Sequence, residues 1–571
     1  MRRILPHFVD QIPLDELKTL PRKNPAVLHL LNLLASELFA RRWSEPGWRR
    51  QNSCGHTTPF YRTYTLPVPA CHAHGTLTNM PRRAILLLTL CLVVFAAEPN
   101  AATKRWWSHV VALSGDDLQG RDYASDGYKK AARYVVTQFE KAGLKPAGEH
   151  GYSQTVPMHE LRFVPEKSSV ELVRPEGTTK LQWLRQIGIT AREGLPDKIQ
   201  GPIVFMGEAG GDASGKIVVA LNGHAPRNAQ GALAVVTIDN LNAIEPPRWP
   251  IQYARAVRLR ETAAGPGRGG PPTMRFNPAD AELLFAGSGH TYKELYAITG
   301  PLPTFPLNGA LKASLAFTTL ETESDNILAV LPGSDPVLSK EYVVISAHLD
   351  GYGLGEPWLI NGKTDNIYNG AFDDAAYVAT LIDFAEALKA AHQTTKRSIL
   401  FCVVTAEEKG LLGSKYYAAH PTIPPAQMVA NINLDQLRPI FPLKILTMLA
   451  VNESNLGETA KAVAASMDIR IQADPEPGRN LLRRSDHWNF MQIGVPSTGF
   501  IFGFEKGTPD EAAYREWYAK RYHSPLDDLN QPWLPEAAAK FNDFFAKLVT
   551  TIADAPEKPH SLPGSQYAPK N

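Results

Sequence analysis

Cysteine is scarce in this chain, with four residues among 571. This scarcity excludes a small secreted domain held together by a framework of disulfide bonds. An excess of one charge is also missing, because 59 lysine and arginine residues face 57 acidic residues. Without a basic excess, nothing in the composition indicates a nucleic-acid partner. Hydrophobic residues make up 44% and charged residues 20%, which excludes a mainly disordered, collagen-like or coiled-coil chain. The length predicts more than one domain.

Long apolar runs are lacking except at Ala84–Ala97, whose 14 residues are too few to span a bilayer comfortably. Arg82 and Arg83 precede this run, and small residues follow it. The layout is typical of a secretory signal peptide over residues 80–102. A buried core helix or a short membrane anchor is the alternative. We therefore expect a secreted or periplasmic protein whose mature chain has no stable membrane insertion.

The signal-like segment begins at Met80, so 79 residues precede it. Our hypothesis is that Met80 is the true initiator and that 1–79 is non-native or disordered. A genuine N-terminal extension is the alternative. Peptides from 1–79 in mass spectra of the natural protein would contradict the hypothesis. Beyond residue 102, Cys402 is the remaining cysteine, and its apolar surroundings predict an inert buried thiol.

Hydrophobic spacing divides the rest of the chain into regions. Residues 125–144 show helical spacing, with Gly143 as the stop. Residues 160–315 contain short strand-like runs such as Lys216–Leu221 and Ala232–Ile238, separated by turns. This pattern indicates a small β-rich module.

From residue 324 onward, buried strands alternate with helices. The predicted helix over Ala375–Leu388 is amphipathic. The predicted strands are Tyr342–Ser346, Ile399–Thr405 and Val429–Leu434. Such alternation predicts an α/β sheet covered by helices on both faces.

Acidic and imidazole side chains cluster where the predicted strands end. Carboxyl ends of strands in an open α/β sheet border one crevice, so these residues are candidates for a common site. They are His348 and Asp350, Asp373 and Asp374, Glu407 and Glu408, Asp435, and His523. Each motif alone has a plain reading, since HxD occurs at surfaces, EE is usually solvated and DD caps helices. Here EE and HLD directly follow buried strands, where unused acidic groups would be costly.

Crowded carboxylates repel one another unless a cation binds them. Imidazoles and carboxylates without cysteine suit Zn²⁺, Mn²⁺ or Co²⁺ better than Ca²⁺. Two histidines and three carboxylates exceed the needs of one catalytic zinc, and they fit two metals that share a carboxylate. Another carboxylate must stay off the metals to move protons. Because Glu407 and Glu408 are adjacent at a strand end, we expect their side chains to point apart and divide these tasks.

The segment 324–530 resembles metallopeptidase family 28, the co-catalytic zinc aminopeptidases related to glutamate carboxypeptidase and glutaminyl cyclase. The resemblance rests on SDNILAVLPGSDP, VVISAHLDGYGLG, NIYNGAFDDAA, TAEEKGLLGSKYY, NINLDQ, SDHWNFMQIGVPS and YHSPLDD. The β-rich region looks like a protease-associated insert, most clearly in SGKIVVAL. Overall the resemblance covers roughly residues 105–555 and implies a mixed, mainly parallel sheet between helices.

The resemblance also implies roles for single residues. One zinc would bind His348 and Asp435, the other would bind Glu408 and His523, and Asp373 would bridge them. These are the five implied metal ligands.

Two further residues would serve the chemistry. Glu407 would be the general base, and Asp350 would orient His348. The peptide bond between Asp373 and Asp374 is expected to be cis. No metal is assigned to His487.

The resemblance implies a catalytic domain over 103–159 and 316–556, an insert without catalytic residues over 160–315, and a flexible tail over 557–571. Two residues depart from the family pattern. Tyr377 replaces a small residue at a helix start, and Gln436 follows Asp435 where methionine is common. Both departures concern substrate preference more than the metal ligands.

The expected function is a secreted zinc exopeptidase, above all an aminopeptidase, in which a hydroxide bound by two metals attacks the carbonyl of a peptide substrate. A glutaminyl cyclase or a carboxypeptidase of the same fold is the alternative. A non-catalytic receptor-like binding protein is a third interpretation, which the complete ligand set disfavours.

Overall fold

The computed structural model describes residues 99–240, 242–243, 245–251, 254–262, 270–565 and 567. The predicted extension 1–79 and most of the predicted signal peptide lie outside these residues. The helices in the described part are α1 (Ala101–Ser114), α2 (Asp126–Ala142), α3 (Glu282–Phe285), α4 (Tyr292–Tyr296), α5 (Ala376–Ala390), α6 (Leu412–Ala419), α7 (Leu456–Ala465), α8 (His487–Gln492), α9 (Pro509–Lys520) and α10 (Pro535–Asp554).

The first ten strands are β1 (Lys145–Pro146), β2 (Ser153–Phe163), β3 (Ser169–Arg174), β4 (Gly177–Lys180), β5 (Ile187–Ile189), β6 (Lys198–Phe205), β7 (Ile217–Leu221), β8 (Ala234–Ile238), β9 (Arg255–Leu259) and β10 (Thr273–Phe276). The later strands are β11 (Phe305–Ser314), β12 (Phe317–Leu331), β13 (Tyr342–His348), β14 (Gly353–Ile360), β15 (Lys363–Tyr368), β16 (Ser398–Val404), β17 (Met428–Leu434), β18 (Ile445–Met448), β19 (Arg470–Gln472) and β20 (Ser497–Phe502).

A ten-stranded mixed sheet forms the centre of the larger layer structure. Its order is β19-β18-β20-β17-β13-β16-β12-β2-β9, and β1 also pairs with β12. The four strands β16, β13, β17 and β20 run parallel, and antiparallel pairs flank them. Every residue of β16, β17 and β20 is buried, as expected for parallel strands covered on both faces.

Helices cover both faces of this sheet, as the alternating pattern predicted. On one face, α1, α2, α5 and α10 pack against alternate residues of the strands, such as Ile345 and Phe401. On the other face, Tyr417 of α6 and Phe490 of α8 pack against Leu400. Cys402 is fully buried in this second layer, and burial raises the pKa of its thiol well above the usual range.

Two helices test the sequence predictions in detail. Helix α2 begins after Ser125, whose hydroxyl accepts a hydrogen bond from Tyr128 N, and ends at Gly143 with φ of 83°. Helix α5 forms where predicted but is not amphipathic, because most of its residues are buried. The physical reason is its position between the sheet and the outer helices α1 and α10.

The region 160–315 contains a second sheet with its own core. Its eight strands have the order β4-β3-β11-β6-β7-β8-β10-β5, which confirms a β-rich module within the α/β chain. One segment of the region behaves differently, because β9 leaves the module and pairs with β2 at the end of the main sheet. The module and the main sheet are therefore joined by backbone hydrogen bonds as well as by chain connections.

Both ends of the described chain contact the main layer. Helix α1 begins at Ala101, so the predicted signal boundary at 102 falls in its first turn. In the segment expected as a flexible tail, Leu562 N donates to Glu453 O at 3.0 Å and Ser565 Oγ donates to a carboxylate oxygen of Glu453 at 2.7 Å. Within the described residues, no helix has the length and apolarity that crossing a membrane requires.

Gly413 permits a close approach directly behind the acidic turn that follows β16. Its amide donates to Thr405 O at 3.0 Å, and a Cβ on Gly413 would lie 2.2 Å from the same oxygen. We expect Gly413→Ala to lower the free energy of unfolding by about 3 kcal/mol through overpacking, as measured by denaturant unfolding. Gly478→Ala is the control, since no atom lies within 4 Å of its added Cβ. Equal stability of the two variants would contradict this account.

Candidate metal centre and active site

The parallel strands bring the candidate residues to one edge of the sheet. His348 is the last residue of β13, and Asp435 directly follows β17. Glu407 and Glu408 lie in a short helical turn after β16. Asp373 lies in an irregular turn over Ala371–Ala375 before α5, and His523 follows α9.

Five of these side chains form two candidate metal-binding groups (the metal groups), which share Asp373. One group contains His348, Asp373 and Asp435, and the other contains Asp373, Glu408 and His523. In each group, the candidate ligand atoms all lie within 4.8 Å of one another. The grouping coincides with the pairing that the resemblance implied.

Asp373 faces both groups through different oxygens. His348 Nε2 lies 3.2 Å from Asp373 Oδ1 and 3.8 Å from Asp435 Oδ1. His523 Nε2 lies 3.3 Å from Asp373 Oδ2 and 3.4 Å from Glu408 Oε2. This geometry suits a carboxylate that bridges two cations.

Unpaired buried atoms test whether metals fit here. His348 Nε2, Asp373 Oδ2, Glu408 Oε1 and Asp435 Oδ1 are buried and have no hydrogen-bond partner in the described structure. Leaving such groups unpaired costs about 1–3 kcal/mol each, and more when they are charged. Imidazole nitrogen and carboxylate oxygen are both good zinc ligands, so the residues fit two such ions.

The pKa values show the same crowding. Burial raises the pKa of Glu408 to about 7. Burial opposes protonation of His348, but the surrounding carboxylates, Glu407 first, raise its pKa well above the usual range. Burial alone would raise the pKa of Asp373, as it does for Glu408, but the contacts of Asp373 with His348 and His523 lower its pKa below the usual value. The protein's own groups thus compete for protons that a divalent cation would displace.

Glu407 lies beside the metal groups and belongs to neither. Burial holds its pKa well above the usual carboxylate range, and Asp435 and Glu408 add to the effect. The expected reason for its separation from Glu408 is wrong, because β16 ends at Val404 and strand alternation does not apply. The turn that separates the two glutamates begins at Ala406, whose φ is +52°.

Asp350 supports this turn. Its carboxylate oxygens accept hydrogen bonds from Glu407 N at 3.0 Å and Glu408 N at 3.3 Å. The contact with His348 runs through the backbone instead, since His348 Nδ1 lies 3.0 Å from Asp350 O and 3.8 Å from Oδ1. A carbonyl can only accept, so Nδ1–H donates and Nε2 keeps its lone pair for a metal.

Sequence reasoning missed two residues that hold Asp373 and its neighbours, Asp527 and Arg121. Asp527 accepts hydrogen bonds from Phe372 N and Asp373 N, both at 3.0 Å. Asp374 accepts a hydrogen bond from His348 N at 3.3 Å, and the peptide bond between Asp373 and Asp374 is cis, as predicted. Asp527 stood inside the YHSPLDD motif, which was a signal that could have identified it.

The second missed residue is Arg121, which is fully buried. Its guanidinium donates to Leu349 O at 2.9 Å, Asn369 O at 2.6 Å and Gly370 O at 2.9 Å. It therefore fastens the loop after His348 to the loop before Asp373. No local pattern around Arg121 indicated this role.

The remaining expectations concern three side chains near the site. Tyr377 is fully buried and packs against Phe541 at a ring distance of 5.2 Å. Gln436 accepts a hydrogen bond from the Tyr518 hydroxyl at 2.9 Å. His487 is buried outside both metal groups, and burial lowers its pKa to about 4.

Two cavities border the metal groups on different sides. The larger has a volume of about 540 Å³, and its walls include Glu408 and His523 together with Arg248 and Arg255 of the insert region. The smaller has about 40 Å³ and lies beside Asp435, with Leu449, Phe500 and Ile501 in its wall.

Comparison with known proteins gives one family match. Residues 326–549 match the model of peptidase family M28. The curated relatives include leupeptin-inactivating enzyme 1 of Streptomyces exfoliatus, 25% identical over 39% of this chain and 49% of the relative. Another is a probable leucine aminopeptidase 2 of Aspergillus oryzae, 27% identical over 36% of this chain and 40% of the relative. The chain thus spans half or less of the length of these relatives.

Solved structures show the same fold across most of the chain. An aminopeptidase from Aneurinibacillus sp. strain AM-1 superposes with a TM-score of 0.53 at 20% identity, over 80% of this chain and 95% of that one. A zinc aminopeptidase from Bacillus subtilis, BSAP, has a TM-score of 0.51 at 18% identity, over 81% and 97% of the two chains. At these identities the likeness concerns the fold.

Glu408→Gln tests the metal groups directly. The amide keeps the size of the side chain but removes a charged ligand from one group, so we expect one of two zinc ions to be lost. Metal analysis after dialysis measures this, and Glu407→Gln is the adjacent control that should keep both ions. Retention of both ions in Glu408→Gln, with loss in Glu407→Gln, would reverse the assignment.

Proposed function

We propose that this chain, whose residues 326–549 belong to peptidase family M28, is a zinc-dependent exopeptidase that removes N-terminal residues from peptides. The observation that carries the proposal is the orientation of Asp373, with one oxygen toward His348 and the other toward His523. The remaining ligands, Asp435 and Glu408, complete two groups of three. The named activities of the curated relatives support a peptidase.

Two bound zinc ions would supply Lewis acidity and lower the pKa of a water molecule. The protein's part is to place and move protons. Glu407, buried beside the metal groups but outside them, would accept the proton of the attacking water and deliver it to the departing amine. Burial raises its pKa well above the usual carboxylate range, which favours a carboxyl group that holds the transferred proton before returning it. Asp350 would keep Glu407 in position through the hydrogen bond from the Glu407 amide.

The unequal cavities favour an exopeptidase. On the side of Asp435 the space is only about 40 Å³, which suits a single side chain, and its wall combines apolar and aromatic residues with polar and charged ones. On the side of Glu408 and His523 the cavity of about 540 Å³ has room for the rest of a peptide. A substrate would therefore place its terminal residue beside Asp435 and extend past His523.

Secretion remains a prediction from the sequence. It rests on the signal-like segment 80–102, most of which lies outside the described residues.

A substrate panel separates the alternatives. We expect hydrolysis of aminoacyl p-nitroanilides and of peptides with a free N-terminus, because the small cavity accepts the terminal residue. N-acetylated peptides of the same sequence should be cleaved at least ~10-fold more slowly, as judged by kcat/KM. C-terminal trimming of acetylated peptides would indicate a carboxypeptidase instead. Cyclisation of N-terminal glutamine without hydrolysis would indicate a glutaminyl cyclase.

Glu407→Gln tests the proton-transfer role. The amide cannot accept a proton, so kcat should fall by at least ~10²-fold, the usual contribution of a positioned general base. Both zinc ions should remain, as measured by metal analysis of the same sample. Glu323→Gln is the control, because Glu323 lies on the exposed part of β12. Unchanged kcat in Glu407→Gln would refute the role of Glu407.

A further inference from the structure

Arg248 of the insert region contacts the end of helix α9, which lies outside the insert. Its Nε and Nη2 donate to Tyr522 O at 3.0 and 2.5 Å. The same guanidinium donates to Tyr518 O at 2.9 Å and to Ala519 O at 2.7 Å. One side chain of the insert region thus binds three backbone carbonyls near the end of α9, outside the insert.

These carbonyls belong to the last turn of α9 and the segment that follows it. The end of a helix leaves carbonyls without partners inside the helix, and a cation near them is favourable. Tyr522 O is the carbonyl of the peptide bond that leads directly into His523. Arg248 therefore satisfies the end of α9 at the point where the chain turns into the metal group.

His523 is in a conformation that requires support. Its φ is +51°, in the left-handed region that non-glycine residues seldom adopt. Such a conformation persists where the surroundings hold it. After His523, the chain is held by its own residues, since Ser524 N donates to Arg521 O at 3.1 Å and Arg521 Nη1 donates to Leu526 O at 2.8 Å. Before His523, the hydrogen bonds to Tyr522 O come from the insert region.

A neighbouring ion pair also joins the insert region to the chain outside it. Glu245, three residues before Arg248, accepts hydrogen bonds from Arg484 Nη1 at 3.1 Å and Arg484 Nη2 at 2.8 Å, and it also contacts Arg479. Arg484 Nη2 lies 3.5 Å from the Tyr522 hydroxyl. Arg248 thus binds the backbone carbonyl of Tyr522, while Glu245 binds Arg484, which lies beside the Tyr522 hydroxyl. The two contacts together keep Arg248 in place.

We propose that Arg248 is a positioning residue for His523, through which the insert sets the metal affinity of the group formed by Asp373, Glu408 and His523. The inference rests on the proposed function only in that this group binds zinc. The group of His348 and Asp435 has no such contact with residues 245–248 among the described hydrogen bonds, so its affinity should not depend on Arg248.

Zinc titration of Arg248→Ala in the full-length protein tests this proposal. Competition with a chelator should show that one of two zinc ions is bound about 10–100-fold more weakly, the usual effect of removing a residue that supports a ligand. The other ion should keep its wild-type affinity, and excess zinc should restore activity. Arg248→Lys should lie between, because lysine keeps the charge but not the forked donors.

Arg275→Ala is the matched control. Arg275 also belongs to the insert region and lines the same cavity, but it pairs with Asp239 at 2.8 Å inside the insert. Its removal should leave both zinc affinities unchanged. The thermal unfolding midpoint of each metal-free variant shows whether the protein is folded.

Several results would overturn the proposal. Wild-type affinity for both ions in Arg248→Ala would do so, and a fall in kcat/KM alone would then assign Arg248 to the substrate wall. Equal weakening of both ions with a lower unfolding midpoint would show a general structural role. Wild-type protein that binds two zinc ions but cleaves no peptide would refute the proposed function and leave this inference standing.

Discussion

Asp373 directs its two carboxylate oxygens to two different histidines, and most of the surrounding structure keeps that carboxylate in place. Asp527 accepts a hydrogen bond from the Asp373 amide, and Arg121 donates one to the carbonyl of Gly370, three residues before Asp373. The turn is buried, so each polar group in it needs a partner. A bridging position demands this rigidity, because a shift of the carboxylate would disturb both metal groups at once.

The same edge of the sheet holds Glu408, the proposed ligand, and Glu407, the proposed base, in different positions. Glu408 enters a metal group, whereas Glu407 stays outside both groups, although the two residues are adjacent in sequence. Their separation depends on the turn after β16 and on Asp350, whose carboxylate accepts a hydrogen bond from each of their backbone amides. Asp350 thus fixes the backbone of Glu407 and Glu408 with its carboxylate, and fixes His348 with its own carbonyl.

The sequence made the parallel core and the candidate ligands predictable, because each ligand follows a buried strand or stands in a distinct motif. His348 and Asp435 are examples, since apolar runs mark the strands that precede them. Arg121 was not predictable, because the loop carbonyls that it binds beside the site, Leu349 O and Gly370 O, lie more than 200 residues away in sequence and meet it only in the fold. Arg248 escaped notice for the same reason, since nothing near it in sequence indicates α9.

Strand β9 shows where a boundary drawn along the sequence differs from one drawn through hydrogen bonds. It lies within the insert region, yet it pairs with β2 from Met158 opposite Leu259 to Arg162 opposite Arg255. An excision of residues 160–315 would remove the last four residues of β2 and uncover the flank of the rest, which leaves its peptide groups open to pairing with a second molecule. The insert therefore cannot be removed along its sequence bounds without disturbing the main sheet, and a shortened chain that keeps this edge paired would have to retain Arg255–Leu259.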